Sequence, residues 1–139
     1  MTTKSTAVFP QTLMSGAALT TGANATITGA PDNTVLLFTA PTDGAEINSV
    51  TVLPLATCSA TVAYLYASMD GGTTKRLITA KLIAADTVST TDEPKLIDFG
   101  YSDSSLLLLA GNERLYVGTS VALANGFSWH CQGRGYTGV

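Results

Sequence analysis

The chain predicts an all-β fold: an antiparallel β-sandwich, jelly-roll-like, of about seven to eight short strands with an extended N-terminal arm. Three observations predict it. Short β-branched or aromatic runs recur at fairly even spacing, and each is closed by a cluster of Gly, Pro, Asn or Asp. No segment sustains a helical period between capping residues. A barrel is the alternative closure of the same strands. The expected division is an arm over residues 1–23 and one sandwich domain over 24–139.

The elements follow in order. "TVLLFTA" (34–40) is a compact apolar run closed by Pro41 and the Asp43–Gly44 turn pair, and "EINSVTVLP" (46–54) is stopped by Pro54. "ATVAYLYASM" (60–69) alternates, with Val62, Tyr64 and Tyr66 on one face and Ala63, Leu65 and Ala67 on the other. "DGGTT" (70–74) offers the positive-φ positions of a tight hairpin, and "KRLITAKLIA" (75–84) returns as its partner. Asp70 is a turn residue in this reading, since the further oxygen ligands of a calcium loop do not follow it. Helix formers cluster over 79–86, but the brevity of the stretch and the preceding hairpin favour a strand.

After the polar loop 85–94, "KLIDFGY" (95–101) reads as a short strand. "SLLLLAGNERLYVGTSVA" (105–122) holds a Gly111–Asn112 turn, then a strand with Leu115, Val117 and Thr119 on one face. Asn125–Gly126 reads as the next hairpin turn. "FSWHCQGRGY" (127–136) closes the set, with Phe127, Trp129 and Cys131 inward and Ser128, His130 and Gln132 outward. The expected core includes Phe127, Trp129, Leu115, Val117, Val62 and Leu77.

Gly133, Gly135 and Gly138 in "GRGYTGV" fit the spacing G-x-G-x-x-G of a dinucleotide-binding turn. That turn works only where a helix N-terminus follows to receive the phosphate, and only Val139 follows here. The match is expected to be accidental. In or beside the last strand these glycines mark a bulge, or a place where another backbone comes close.

Charged residues are 12% of the chain, about half the usual share, and the net charge is −3. A basic stripe for nucleic acid is missing, and no apolar run approaches the roughly 20 residues that span a bilayer. The N-terminus has a single Lys and no long hydrophobic stretch, so it is not expected to be a secretory signal. Cys58 and Cys131 are expected as buried free thiols, with a disulfide as the alternative. So little charge with so much Ala, Thr, Ser and Gly points to a surface covered by other subunits.

Catalytic chemistry finds little footing. His130 is the only histidine, its neighbour Cys131 points to the other face of a strand, and no nucleophile elbow is present. One His and two distant Cys give no zinc spacing. Glu46 and Glu113 fall at strand starts as solvated edge charges. The expectation is a non-enzyme with no catalytic residue, cofactor or metal, and with His130 facing solvent.

The stretch "LLFTAPTDGAEINSVTVLPLATCSATVAYLYASMDGGTTKRLI", with "LLLAGNERLYVG" and "ANGFSWHCQGRGY" after it, resembles small β-sandwich virion proteins of tailed bacteriophages. The resemblance covers about residues 25–136 and rests on turn and strand patterns. It implies a capsid decoration (cement) protein, or a head or tail fibre module, made in the host cytoplasm and placed on the capsid surface. The implied partners are the major capsid protein or other virion subunits, plus copies of itself as a trimer. The alternative is a tail, baseplate or fibre module that is structural or binds a receptor. Neither nucleic acid nor membrane is an expected partner. In the arm, Val8, Phe9, Leu13 and Met14 gather apolar side chains around Pro10, an exposed cluster expected to order against such a partner. Folding back on the sandwich is the alternative.

Overall fold

The computed structural model describes residues 8–24, 26–28 and 30–138, and among these the side chains of positions 12–136. Nine strands appear: β1 (Val8–Thr20), β2 (Val35–Thr39), β3 (Ala45–Pro54), β4 (Thr61–Ser68), β5 (Arg76–Ile83), β6 (Ile97–Asp98), β7 (Leu107–Leu109), β8 (Arg114–Thr119) and β9 (Phe127–Gly138). They form two antiparallel sheets, and no helix occurs among the described residues. The first sheet runs β1-β9-β3-β6, with β7 also on β3; the second runs β2-β8-β4-β5. The expected all-β sandwich is what the chain forms.

Alternation builds the core between the sheets. Phe127, Trp129 and Cys131 point inward from β9 and are buried, while His130 and Gln132 are exposed. Leu115 and Val117 of β8 and Ala63 and Leu65 of β4 face them from the second sheet. Phe99, just after β6, packs its ring 5.6 Å from that of Trp129. Each large apolar side chain buried in this way contributes about 1.5–3 kcal/mol.

Bulges change the phase of several strands. In β3 the buried positions run Ala45, Ile47, then Val50, Val52, because Asn48 is the extra residue between Ile47 and Ser49. That bulge sits opposite Gly133 of β9, whose place has no room for a side chain: a Cβ there would lie 2.1 Å from the Glu46 carbonyl oxygen. A second bulge, between Pro10 and Thr12 of β1, sits opposite Gly135, where a Cβ would meet Met14 Sδ at 2.7 Å. Gly133 and Gly135 thus mark bulges and close approach, as their position in a last strand implies.

Several expectations are corrected. Residues 8–20 are β1, paired along their length with β9, so this part of the expected arm belongs to the sandwich; residues 1–7 lie outside the described residues. The alternation of β1 is blurred in sequence because its outer positions mix Leu with Ser and Ala and its inner ones include Gly16. Counting β1 and the short β6 and β7, nine strands are seen among the described residues. Val62 lies on the outer face of the second sheet and is half-buried, outside the core. Leu77 joins it there, because the extra residue Ile78 shifts the phase of β5.

Asn125–Gly126 is a turn, with Gly126 at φ +86°, but it does not close a hairpin: β8 and β9 belong to different sheets. Among the described residues the hairpin between sheet neighbours is β4–β5, but it is not the expected tight one: its last pair is Ala67–Arg76, and residues 68–75 form a longer connection with Gly71 and Gly72 at positive φ. There Asp70 Oδ1 accepts from the Thr74 amide at 2.8 Å and the Ser68 hydroxyl at 2.9 Å. Those bonds hold its carboxyl below its ordinary pKa.

Candidate interaction surface

The outer face of the first sheet is flat and poor in charge. Along β1, Leu13, Ser15, Ala17 and Leu19 face outward, and Met14, Gly16, Ala18 and Thr20 face inward. Cross-strand partners form rows: Ser15–Gln132–Ser49 and Ala17–His130–Thr51 are small or polar. A third row, Leu13–Arg134–Glu46–Leu108, sets two exposed leucines (82% and 67%) at either end of an ion pair.

Arg134 Nη1 lies 3.9 Å from Glu46 Oε1, and the Tyr136 hydroxyl donates to Glu46 Oε2 at 2.8 Å. Bonding to the carboxylate raises the Tyr136 pKa. An exposed ion pair of this kind adds little stability. Its effect is to hold the row in place. Beside it, a shallow groove of about 350 Å³ runs between Leu13, Ser15, Asn48, Gln132 and Arg134.

The second sheet's outer face is aromatic and half covered. Val62, Tyr64 and Tyr66 of β4 share it with Tyr116 of β8 and Leu77, Ala80 and Leu82 of β5. The β1–β2 connection crosses this face as a clasp: the Asn24 amide nitrogen donates to the Thr119 carbonyl at 2.8 Å, and its side-chain Nδ2 donates to the Tyr66 hydroxyl. Tyr66 is thereby fully buried although it points away from the core, and burial pushes its phenol up to about 12. The Tyr64 ring, 6.0 Å away, is only half-buried, and Leu82 beyond it is 66% exposed. At the other end Lys75 Nζ sits 4.9 Å above the Tyr116 ring.

The sequence-predicted partner residues do not gather into one cluster. Val8 and Phe9 pair in β1 with Gly138 and Thr137, and their side chains lie outside what the structure describes. Leu13 is on the outer face, whereas Met14 turns inward against the core beneath Gly135. A strand puts neighbours on opposite faces, yet Leu13 and the partly buried Met14 both line the groove beside Arg134. Sequence reasoning missed Leu19, Leu82 and Leu108 as exposed apolar residues. The signal was there for Leu19, whose spacing from Leu13 is that of one strand face.

Reactive groups are dispersed. His130 is exposed, as expected, between Ala17 and Thr51. Among the described residues no three His, Cys, Asp or Glu side chains come close enough to hold a metal ion. Cys58 and Cys131 are both free and buried, and burial pushes the Cys131 thiol up to about 11. No protein-family model matches the chain, and no curated protein matches it.

Proposed function

We propose that the chain is a non-enzymatic structural subunit of a tailed-phage virion, a decoration protein that binds the assembled head as a homo-oligomer and stabilises it. The observation that carries this reading is the character of the two outer faces. Leu13, Leu82 and Leu108 stand more than half exposed on paired strands, Leu13 and Leu108 flanking the single Arg134–Glu46 pair and Leu82 beside Val62. Exposed apolar side chains on a rigid sheet suit a partner that covers them. The sequence resemblance names the class of partner, the major capsid protein or a neighbouring virion subunit. A subunit of this kind acts mechanically, bridging its neighbours so that contacts made after the first are effectively intramolecular. A trimer would match the three-fold positions of an icosahedral shell.

The test is add-back of purified protein to phage particles that lack it, followed by imaging and by measuring DNA retention on heating. Density on the head with improved retention supports the proposal. Density on the tail would make it a tail or fibre module, and no density on any particle would overturn the virion reading.

A further inference from the structure

Four strand edges border the two sheets, and three of them carry features that discourage pairing. The β6 and β7 edge consists of strands of two and three residues. β2 is five residues long and bulged at Leu37. β5 is bulged at Ile78 and carries Arg76 and Lys81. Short length, bulges and charges are the usual means of keeping an edge unpaired.

β1 differs in length and in charge, and its one bulge, beside Pro10, lies at its start. It is 13 residues long, contains no Asp, Glu, Lys or Arg, and is regular from Thr12 to Thr20. Among the described residues it pairs with β9 alone. A long uncharged edge presents unpaired amides and carbonyls to any strand that can align with it.

The side chains of that regular stretch are self-complementary about Gly16. Antiparallel pairing of two copies across a two-fold axis there sets Leu13 opposite the partner's Leu19, Met14 opposite Ala18, Ser15 opposite Ala17 and Thr12 opposite Thr20. On the outer face it joins the exposed leucines, 82% and 50% accessible, twice over. On the inner face it sets the long Met14 against the short Ala18, and Thr12 against Thr20. At the axis lies the residue with no side chain, where the Leu37 carbonyl of β2 already comes within 2.2 Å of where a Cβ would be. No charge opposes a like charge, whereas the same operation on β5 would bring Arg76 and Lys81 toward their own copies.

We propose that the β1 edge is a docking site for a second copy of this chain, with β1 paired to β1 antiparallel about Gly16 so that the two first sheets become one. The inference does not depend on the virion reading. The contact is two-fold and isologous, so it makes a dimer or joins trimers in pairs, and it cannot itself be a three-fold contact.

Ser15 and Ala17 are exposed and opposite each other in this register, which makes it testable without disturbing the core. Sedimentation velocity at high concentration should show even-numbered assemblies for the unaltered protein. S15E/A17E, with unchanged circular dichroism and melting, should weaken association about tenfold or more by opposing like charges at two cross-strand pairs. S15E/A17K, which places opposite charges across the axis, should restore it. A protein that stays monomeric, an assembly indifferent to S15E/A17E, or no rescue by S15E/A17K would each overturn the proposal. None of these outcomes bears on whether the protein binds phage heads.

Discussion

Trp129 Nε1 donates a 2.9 Å hydrogen bond to Thr20 Oγ1, joining the start of β9 to the end of β1 inside the core. Both residues are almost entirely removed from solvent, so neither partner has water as a substitute. Trp129→Ala should cost about 3–5 kcal/mol in denaturant unfolding, since it leaves a large cavity between the sheets. Thr20→Val keeps the volume and removes only the acceptor, which should cost about 1–3 kcal/mol by leaving a buried indole N–H unpaired. If Thr20→Val melts like the unaltered protein, the bond contributes nothing net and packing alone carries the site.

Gly133 of β9 and Gly71 of the hairpin should differ by mechanism. Gly133→Ala would press a methyl group against the Glu46 backbone, which cannot swing aside, and should cost about 1–3 kcal/mol or more. Gly71 has nothing within 4 Å of its would-be Cβ and only a positive φ to satisfy, so Gly71→Ala should cost nearer 1 kcal/mol. Thermal melting of the two variants side by side checks the order.

Tyr66 gives the fold an alkaline limit. Its folded pKa is raised to about 12 from an ordinary 10, so the unfolded chain loses this proton first as pH rises. The contribution is therefore complete below pH 10 and falls away between about 10 and 12. Tyr66→Phe should flatten that part of the stability curve. It should also lower stability at neutral pH by about 1–3 kcal/mol, because the buried Asn24 amide loses its acceptor. Faster amide exchange across residues 21–28 would accompany the loss. A stability curve of unchanged slope between pH 10 and 12 in Tyr66→Phe would rule out this role.

Cys131 should be silent toward thiol reagents in the native state at pH 8. Its Sγ is fully buried beside Gly16, and with its pKa near 11 little thiolate forms. Denaturant should release both thiols together. Reaction of Cys131 without denaturant would show that β1 lifts from the sandwich.

How much of this was legible depends on what each residue must satisfy locally. The last strand was readable because large apolar and polar side chains alternate from Phe127 to Gln132, and the turns because Gly44, Gly71 and Asn112 need backbone conformations that few residues accept. β1 was obscured because Ser, Gly and Ala in its middle carry little hydropathic contrast. Its strand character comes from β9 beside it, not from its own composition. Asn125–Gly126 announced a turn truthfully, yet a turn fixes only the reversal of the chain and not which sheet the next strand joins. Hydrophobicity marks Val62 and Leu77 as core candidates, although Val62 lies on the outer face of β4 and Leu77 directly precedes a bulge, at Ile78, that no local signal marks. Of the four arm residues, the sequence could identify apolar character but not that Leu13 and Met14 would part to opposite faces once the segment became a strand.

The position of β9 also sets a timetable. It is the ninth strand in the chain yet lies inside its sheet, between β1 and β3. While the ribosome is still making the chain, those two strands have nothing to hold between them. Closing so long a loop costs entropy before any contact repays it, which slows folding. During that interval β1, uncharged and unprotected, is the segment most prone to stray pairing between nascent chains. A chaperone that shields residues 12–20 until synthesis reaches Gly138 would therefore raise yield more than one acting anywhere else.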